Sequence, residues 1–306
     1  MSKVVLIGCG NVGMSYAYAL INQRTRVSEL VLIDINKEKA EGEALDLMHA
    51  ISFAPSKIYV KSGDYADCEN AEIVCICAGR NQAPNETRTD LIRKNYEVFK
   101  SIITEINKTN FNGIYLIASN PLDVMTYITQ KLSGFPIERV IGSGTILDTA
   151  RLRYLISEKL NISPKSVHGF VLGEHGDSEF IPWHNTLIGL DKANKYLSQN
   201  DMSKITYNVK NSAYEVINKK GNTSYGIGLC LVKITNAILE DSNKVFTVSS
   251  FNKEFGLYIG QPTVLNKSGA SKVLELNLSS EDDLKFEESC HTIQQNINSL
   301  NLNKNK

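Results

Sequence analysis

The 306-residue sequence has no excess of charge of either sign, because 33 lysines and arginines balance 33 aspartates and glutamates. Without a basic excess there is no reason to expect nucleic acid as a partner, and without an acidic run there is no charged tail. No apolar run is long enough to cross a bilayer, and the first residues lack the apolar length and cleavage site of a signal peptide. We therefore expect no membrane partner and a cytoplasmic location.

The six cysteines also lack a recognisable pattern. None of them forms a CxxC pair and their spacing fits no zinc site, so the sequence predicts no metal. Cys75 and Cys77 alternate within an apolar run, and we expect both to point the same way as small core residues. Cysteines used in this way are typical of a reduced compartment.

Short apolar runs alternate with helical patterns through the first half of the sequence. Continuous apolar strands joined by helices indicate a parallel sheet that is covered on both faces. Right-handed crossovers then predict an α/β fold with a doubly wound, Rossmann-like sheet. The predicted strands are residues 3–8, 29–35, 71–79, 113–121 and 139–144, and the predicted helices between them include 12–23 and 90–108.

After about residue 145 the rhythm changes to a mixed α+β pattern, which predicts a second domain. The expected division is at residue 143, with a nucleotide-binding domain over 1–143 and a catalytic domain over 144–306. The predicted helices of the catalytic domain are 145–160, 225–240 and part of 191–222, and its predicted strands are 166–174, 245–251 and 256–266.

The stretch GCGNVG, residues 8–13, follows the first predicted strand and opens a helix. In this context Gly8 permits a tight turn, Gly10 lets a pyrophosphate approach the backbone, and Gly13 allows close packing of helix on strand. Asp34 ends the second strand at the distance expected for a carboxylate that binds both ribose hydroxyls, which favours NAD over NADP. The alternative is a plain helix-capping turn followed by a strand-end acid. The predicted cofactor-binding residues are Gly8, Gly10, Asn11, Val12, Gly13, Asp34 and Asn120.

Two groups on one predicted helix could act together. Asp148 and Arg151 are three residues apart and share a helical face, whereas Arg153 lies about 200° round the helix from Arg151. The simpler interpretation of the first pair is a surface salt bridge.

His175 lies in LGEHGDSEF, residues 172–180, where glycines allow a sharp bend. This bend could hold a general acid or base, or it could be an ordinary surface loop.

Polar residues also follow the predicted third and fourth strands, at the sheet edge where ligands bind in such folds. Arg88 lies in the segment 79–91, which has the proline and asparagine content of a loop, and Asn120 ends the next strand. Their simpler interpretations are a solvated loop and a turn residue.

Six motifs in order along nearly the whole chain resemble those of the L-lactate and malate dehydrogenase family. They are GCGNVG, NETRTDL, ASNPLDV, GSGTILDTARLR, GEHGDSEF and KGNTSYGIG. The resemblance implies NAD as the cofactor and a 2-hydroxy acid as the substrate. It implies His175 as the proton donor, Asp148 as its partner, Arg151 as the carboxylate clamp, Arg88 as the group that polarises the carbonyl, and Asn120 as a contact of nicotinamide and substrate.

The substrate depends on a loop position at which malate dehydrogenases of this family carry an arginine. Here it is Gln82, which cannot neutralise a second carboxylate, and burying that charge unpaired costs about 3–5 kcal/mol. We therefore expect pyruvate and L-lactate as substrates, and Thr223 suggests a small pocket. Arg80 is a departure that could admit a second carboxylate, so malate is one alternative. Larger branched-chain 2-hydroxy acids, such as 2-hydroxyisocaproate, are another.

A non-catalytic NAD-binding protein on the same fold is the alternative from a different class. It is disfavoured because all four of His175, Asp148, Arg151 and Arg88 are present. The resemblance also implies a homotetramer. Bacterial members activated by fructose 1,6-bisphosphate carry an arginine and a histidine at the positions of Arg153 and His168, so we expect this effector to bind there.

Overall fold

The computed structural model describes residues 2–80 and 87–300. In this part of the chain, nine strands form one sheet and three short strands form a second. The strands are β1 (Ser2–Ile7), β2 (Val27–Ile33), β3 (Tyr59–Ser62), β4 (Ile73–Ile76), β5 (Ile114–Ile117), β6 (Val140–Gly142), β7 (Val167–His168), β8 (Leu187–Ile188), β9 (Asp191–Lys192), β10 (Lys244–Asn252), β11 (Leu257–Asn266) and β12 (Gly269–Val273). The α-helices are α1 (Asn11–Asn22), α2 (Lys37–Ala50), α3 (Arg88–Ile106), α4 (Leu122–Ser133), α5 (Ile146–Leu160), α6 (Gln199–Lys220), α7 (Tyr225–Leu239) and α8 (Ser280–Asn298).

The first six strands form the predicted doubly wound parallel sheet. Their spatial order is β6-β5-β4-β1-β2-β3, and each neighbouring pair is parallel. The winding reverses between β1 and β4, which opens a crevice at the carboxyl ends of these two strands. The α/β fold class predicted from the sequence is confirmed, and the five predicted strands of this half all form.

The sheet continues across the division predicted at residue 143. β10 pairs antiparallel with β6 through Ser249 and Gly142, and β11 and β12 extend the same sheet. A Cβ atom on Gly142 would lie 2.8 Å from the Cβ of Ser249, so the absence of a side chain permits this close pairing. The division into two domains therefore remains a prediction, and the sheet itself spans it.

Helices from both halves of the chain cover the faces of the sheet. Val4 and Leu6 of β1 point into one buried cluster, while Val5 and Ile7 point into the other. α7 packs on α1 in the first cluster, where the Tyr16 hydroxyl lies 2.6 Å from the hydroxyl of Thr235. Among the described residues, no helix has both the length and the apolar character needed to cross a membrane.

Cys75 and Cys77 both belong to the first of these clusters, with their sulfur atoms 3.8 Å apart. The expectation that they share one face of a strand is therefore confirmed.

Candidate active site

His175 lies in a short turn, as its flanking glycines predict, whereas the strand predicted over 166–174 forms only at Val167–His168. Regular strand pairing ends at β7, and two isolated bridges follow, one between Leu172 and Phe180 and one between Gly173 and Gly260. Gly173 has a φ of +96°, which interrupts the strand and favours glycine. The Gly173 and Gly260 backbones exchange two hydrogen bonds of 3.0 Å, so β11 fixes where the turn begins.

His175, Asp148 and Arg151 meet in one hydrogen-bonded row. His175 Nδ1 lies 2.8 Å from Asp148 Oδ2, and Arg151 Nη1 donates to Asp148 Oδ1 at 2.6 Å. The Asp148 side chain is 2% exposed, that of Arg151 is 15% exposed and that of His175 is 27% exposed. Asp148 and Arg151 therefore share a helical face, as predicted. Their contact is not a surface salt bridge, because the Asp148 carboxylate is buried between Arg151 and His175.

The electrostatics of this row favour a protonated imidazole. Burial lowers the pKa of His175, but the nearby carboxylates, Asp148 above all, more than offset burial, and the net result is a pKa of about 9. Burial raises the pKa of Asp148, but His175 and Arg151 lower it by more than burial raises it. The pKa of Asp148 is therefore below its usual value, and Asp148 stays ionised. A histidine that is charged at neutral pH and partly exposed can donate a proton to a bound molecule.

Asp123 supports the turn from beneath and was not found from the sequence. It lies in the first turn of α4, where it accepts the His175 backbone N–H at 2.8 Å and the Ser249 hydroxyl at 2.5 Å. Burial raises the pKa of Asp123 to about 6. Its place after Asn120 and Pro121 was the only available signal, because a sequence does not reveal that an acid is buried.

Arg88 is the first residue of α3, and the structure brings it to the same turn. Its guanidinium pairs with the buried carboxylate of Glu174, which also accepts the Ser178 hydroxyl at 2.6 Å. A Cβ atom built on Gly176 would lie 3.3 Å from Arg88 Nη2, so the guanidinium lies against the residue that follows His175. Arg88 thus lies next to the turn that contains His175, and its guanidinium is paired with the Glu174 carboxylate.

The ends of β4 and β5 are held together by Asn95, which the sequence analysis also missed. The buried Asn95 side chain accepts the Arg80 N–H at 2.8 Å and donates to the Asn120 carbonyl at 2.7 Å. Asn120 is exposed at the carboxyl end of the sheet, and Arg80 is exposed beside it. Gln82 lies outside the described residues. Thr223 is half-buried in the connection between α6 and α7.

The dinucleotide motif forms the turn that its sequence predicts. Gly8 has a φ of +104°, and a Cβ atom there would lie 2.5 Å from the Ala78 backbone nitrogen. A Cβ atom on Gly13 would lie 2.0 Å from the Gly8 carbonyl oxygen, whereas one on Gly10 would meet nothing within 4 Å. α1 begins at Asn11 without a side-chain cap, so its first N–H groups can receive a phosphate. Val12 packs against the core.

Asp34 is oriented towards this turn by two backbone N–H groups. Its two carboxylate oxygens accept the Cys9 N–H at 2.7 Å and the Asn36 N–H at 2.9 Å. A cavity of about 780 Å³ adjoins the turn and is lined in part by Cys9, Gly10 and Asn11. Free helix N–H groups, space over Gly10 and a fixed carboxylate fit the pyrophosphate and the ribose of a dinucleotide.

Arg153 and His168 lie away from this row. Arg153 Nε donates to the Gly169 carbonyl at 3.1 Å, and its guanidinium lies 5.3 Å from the centre of the Phe170 ring. His168 is exposed in β7, directly before Gly169. Arg153 is therefore hydrogen-bonded to the residue that follows His168, and Arg153 and Arg151 point to different partners.

The fold and this arrangement of side chains define a class, the dehydrogenases that bind a nicotinamide dinucleotide on a doubly wound sheet. The model for the lactate/malate dehydrogenase NAD binding domain matches residues 2–142, and that for the lactate/malate dehydrogenase alpha/beta C-terminal domain matches residues 145–302. The chain belongs to the lactate/malate dehydrogenase family, and its cofactor is NAD.

Relatives and solved structures agree along nearly the full length. The chain is 47% identical to L-lactate dehydrogenase 1 of Bacillus cereus, over 97% of this chain and 98% of the relative. It is 48% identical to an L-lactate dehydrogenase of a Geobacillus strain, over 96% and 95%. The ligand-bound minor L-lactate dehydrogenase of Enterococcus mundtii superposes with a TM-score of 0.96 at 40% identity, over 98% of this chain and 99% of that one. A lactate dehydrogenase from a deep-sea metagenome library gives 0.95 at 45% identity, over 98% and 99%.

Proposed function

We propose that this chain catalyses the reversible NADH-dependent reduction of pyruvate to L-lactate. The observation that carries the proposal is the row in which the buried Asp148 holds His175 on one side and Arg151 on the other. The names of its relatives, L-lactate dehydrogenases at 47–48% identity over nearly the whole chain, support the same reaction.

His175 is the proton donor in this proposal. Reduction of a 2-oxo acid needs a hydride on carbon, which bound NADH supplies, and a proton on oxygen. Since His175 Nδ1 is held by Asp148, the other ring nitrogen, Nε2, is left to give its proton to the carbonyl oxygen. Asp148 fixes the orientation of the ring and stabilises its charged form.

Two arginines would bind the reacting end of the substrate. Arg151 uses Nη1 for Asp148, and its remaining N–H groups are available for two parallel hydrogen bonds to the substrate carboxylate. Arg88 would stabilise negative charge that develops on the carbonyl oxygen. Because Arg88 pairs with Glu174, binding at the carbonyl requires the guanidinium to leave that partner.

The dinucleotide is assigned to the turn formed by Gly8, Gly10, Asn11, Val12 and Gly13. Asp34 would accept from both ribose hydroxyls and would repel the 2′-phosphate of NADP. Asn120, exposed at the end of β5, is assigned to the nicotinamide and the substrate.

Gln82 and Thr223 are assigned to substrate selection. The test is oxidation of NADH, followed by absorbance, with pyruvate, oxaloacetate and 2-oxoisocaproate. We expect the highest kcat/KM with pyruvate. A preference for oxaloacetate would indicate a malate dehydrogenase, and a preference for 2-oxoisocaproate would indicate a larger pocket.

The variant Gln82→Arg supplies a partner for a second carboxylate. We expect the ratio of kcat/KM for oxaloacetate to that for pyruvate to rise by about 100-fold or more, because the charge is no longer unpaired. Gln82→Met adds no charge and is the matched control, which should keep the parent ratio. An unchanged ratio in the arginine variant would mean that residue 82 does not face the substrate.

We infer further that the chain acts in the cytoplasm as a homotetramer that binds fructose 1,6-bisphosphate. Arg153 is hydrogen-bonded to Gly169, the residue that follows His168, and copies of Arg153 and His168 across a subunit contact would suit a sugar with two phosphates. The division into an NAD-binding part, 1–143, and a catalytic part, 144–306, is proposed on the basis of the sequence pattern and the ranges of the two family models.

A further inference from the structure

Glu179 is a second buried acid beside the histidine, and the mechanism above does not use it. Glu179 is 3% exposed and follows His175 by four positions in the same turn. A carboxylate oxygen of Glu179, a carboxylate oxygen of Asp148 and a ring nitrogen of His175 all lie within 4.8 Å of one another. Among the residues that the structure describes, none forms a hydrogen bond or ion pair with the Glu179 carboxyl group.

These three groups have the spacing of a cation site, but their neighbour argues against a resident metal. Asp148 already accepts from Arg151 at 2.6 Å, so a metal ion there would lie against a guanidinium. The Glu179 carboxyl group is better explained as a titratable group of the substrate site.

The charges that face Glu179 come from three elements. α5 contributes Asp148 and Arg151, the turn contributes His175, and α6 contributes Lys210. Lys210 is tied to the Asp177 carbonyl oxygen in an exposed hydrogen bond of 3.0 Å, where solvent screens its charge. Burial raises the pKa of Glu179 to about 9, and the negative charge of Asp148 adds to that rise.

The net charge of the site depends on this proton. Within the row of Arg151, Asp148 and His175, the two positive charges exceed the negative charge of Asp148 by one while Glu179 is neutral, which matches one substrate carboxylate. Asp123 lies outside this row, on the backbone side of His175, where the His175 N–H and the Ser249 hydroxyl bind its carboxylate. With Glu179 ionised, the excess disappears, and an incoming anion would be buried without a compensating charge.

We propose that Glu179 must carry its proton for a 2-oxo acid to bind, so that the substrate enters a site holding two protons, one on His175 and one on Glu179. This inference rests on the proposed function, because it concerns binding of the substrate of that reaction. Glu179 acts here through charge and does not exchange its proton with the substrate.

Two required protons predict a distinctive pH dependence. As the pH rises above the range in which both groups titrate, KM for pyruvate should rise about 100-fold per pH unit, against about tenfold when only one proton is required. Glu179→Gln has the shape of the protonated acid and cannot ionise. We therefore expect the dependence in this variant to fall to about tenfold per unit.

The control is Asp177→Asn, which removes an exposed carboxylate from the same turn and should keep the two-proton dependence. Glu179→Met is a second neutral variant and replaces the glutamine variant if that protein does not fold. A two-proton dependence in either neutral variant, or a one-proton dependence in the parent, would overturn the proposal.

A binding measurement separates this inference from the reaction itself. Calorimetric titration of the enzyme–NADH complex with oxamate, an amide analogue of pyruvate, in buffers of different ionisation enthalpy counts the protons taken up. At a pH above both titrations we expect uptake near two in the parent and near one in Glu179→Gln. Equal uptake would refute the role of Glu179. A parent that neither binds oxamate nor turns over pyruvate would instead refute the proposed function. Proton uptake would then be measured with whichever 2-oxo acid the enzyme reduces.

Discussion

His175 combines partial exposure with a proton that is held well above neutral pH. Its side chain is 27% exposed, and the pKa of about 9 arises because the nearby carboxylates, Asp148 above all, outweigh the cost of burial. Its backbone N–H is bound by Asp123, so the position of the residue and the direction of its ring are set by two different carboxylates. An imidazole fixed in this way needs no rearrangement before it donates.

The variant His175→Asn keeps a polar side chain and removes the proton donor. We expect kcat for pyruvate reduction to fall by about 10²–10⁴-fold, because general acid catalysis typically contributes that much. Binding of NADH, measured by its fluorescence, should persist because the dinucleotide turn is unchanged. Near-parent turnover would contradict the assignment of the proton.

The raised pKa of His175 also predicts how stability depends on pH. A folded pKa of about 9 lies above the unfolded value of 6.5, so the stabilisation is fully present below pH 6.5 and is lost as the pH rises through 9. The difference is about 3 kcal/mol at most. The raised pKa of Glu179 acts in the same direction. Denaturant unfolding at pH 6.5 and 9.5 should therefore give a smaller loss of stability in His175→Asn than in the parent, and an equal loss would contradict this.

At the scale of elements, three glycines connect β1 to α1, and the space around each of them differs. Gly8 and Gly13 allow backbone contact, since added Cβ atoms would lie 2.5 Å from Ala78 and 2.0 Å from Gly8. Gly10 has an ordinary φ of −82° and open space above it. The space over Gly10 is thus available to a ligand, whereas that beside Gly13 is filled by the chain itself.

This difference gives a matched pair of variants. We expect Gly13→Ala to lower the free energy of unfolding by about 1–3 kcal/mol or more, because helix and turn must separate. Gly10→Ala should leave the free energy of unfolding within about 1 kcal/mol of the parent and weaken NADH binding. Denaturant unfolding and NADH titration of both proteins test this, and reversed effects would contradict it.

Elements with a continuous apolar run were predictable from the sequence, and those without one were not. β1 and β4 are buried on both faces and were readily predicted, whereas β3 lies at the sheet edge with only Val60 fully buried and carries no comparable signal. The strand predicted over 166–174 was wrong over most of its length, because pairing stops at His168 and only isolated bridges follow at Leu172 and Gly173.

The site was predictable where a motif states the chemistry, and not where burial creates it. Asp148 and Arg151 were singled out because their spacing puts them on one helical face and because their motif resembles one of the family. Asp123 and Glu179 act through desolvation and through contacts with distant segments, which local sequence does not encode.

At the scale of the whole molecule, one sheet joins the two halves of the chain. β6 pairs with β10 across the predicted division, and α7 packs on α1 in the same buried cluster. α5 then links two regions, since Arg151 faces the candidate active site while Arg153 faces Gly169. A change at Arg153 has a short physical route to Arg151 along this helix.

The effector proposal is tested on this route. We expect fructose 1,6-bisphosphate to lower the apparent KM for pyruvate by about 5–150-fold, the ordinary range of coupling between two sites. Arg153→Gln should abolish the effect. Pyruvate saturation at fixed NADH, with and without the sugar, measures both. Identical curves for the parent would end the hypothesis, and activation that survives in the variant would put the effector elsewhere.

The two backbone N–H groups that hold Asp34 have a consequence for nucleotide binding. A free carboxylate side chain would lose rotational freedom when it captured a ribose, and affinity would fall by that loss. Here Cys9 and Asn36 immobilise the side chain when the protein folds, so the entropy is lost then and not at binding. On the proposed assignment of Asp34 to the ribose, recognition is preorganised, and any change that frees Asp34 should weaken the dinucleotide complex while leaving its carboxylate in place.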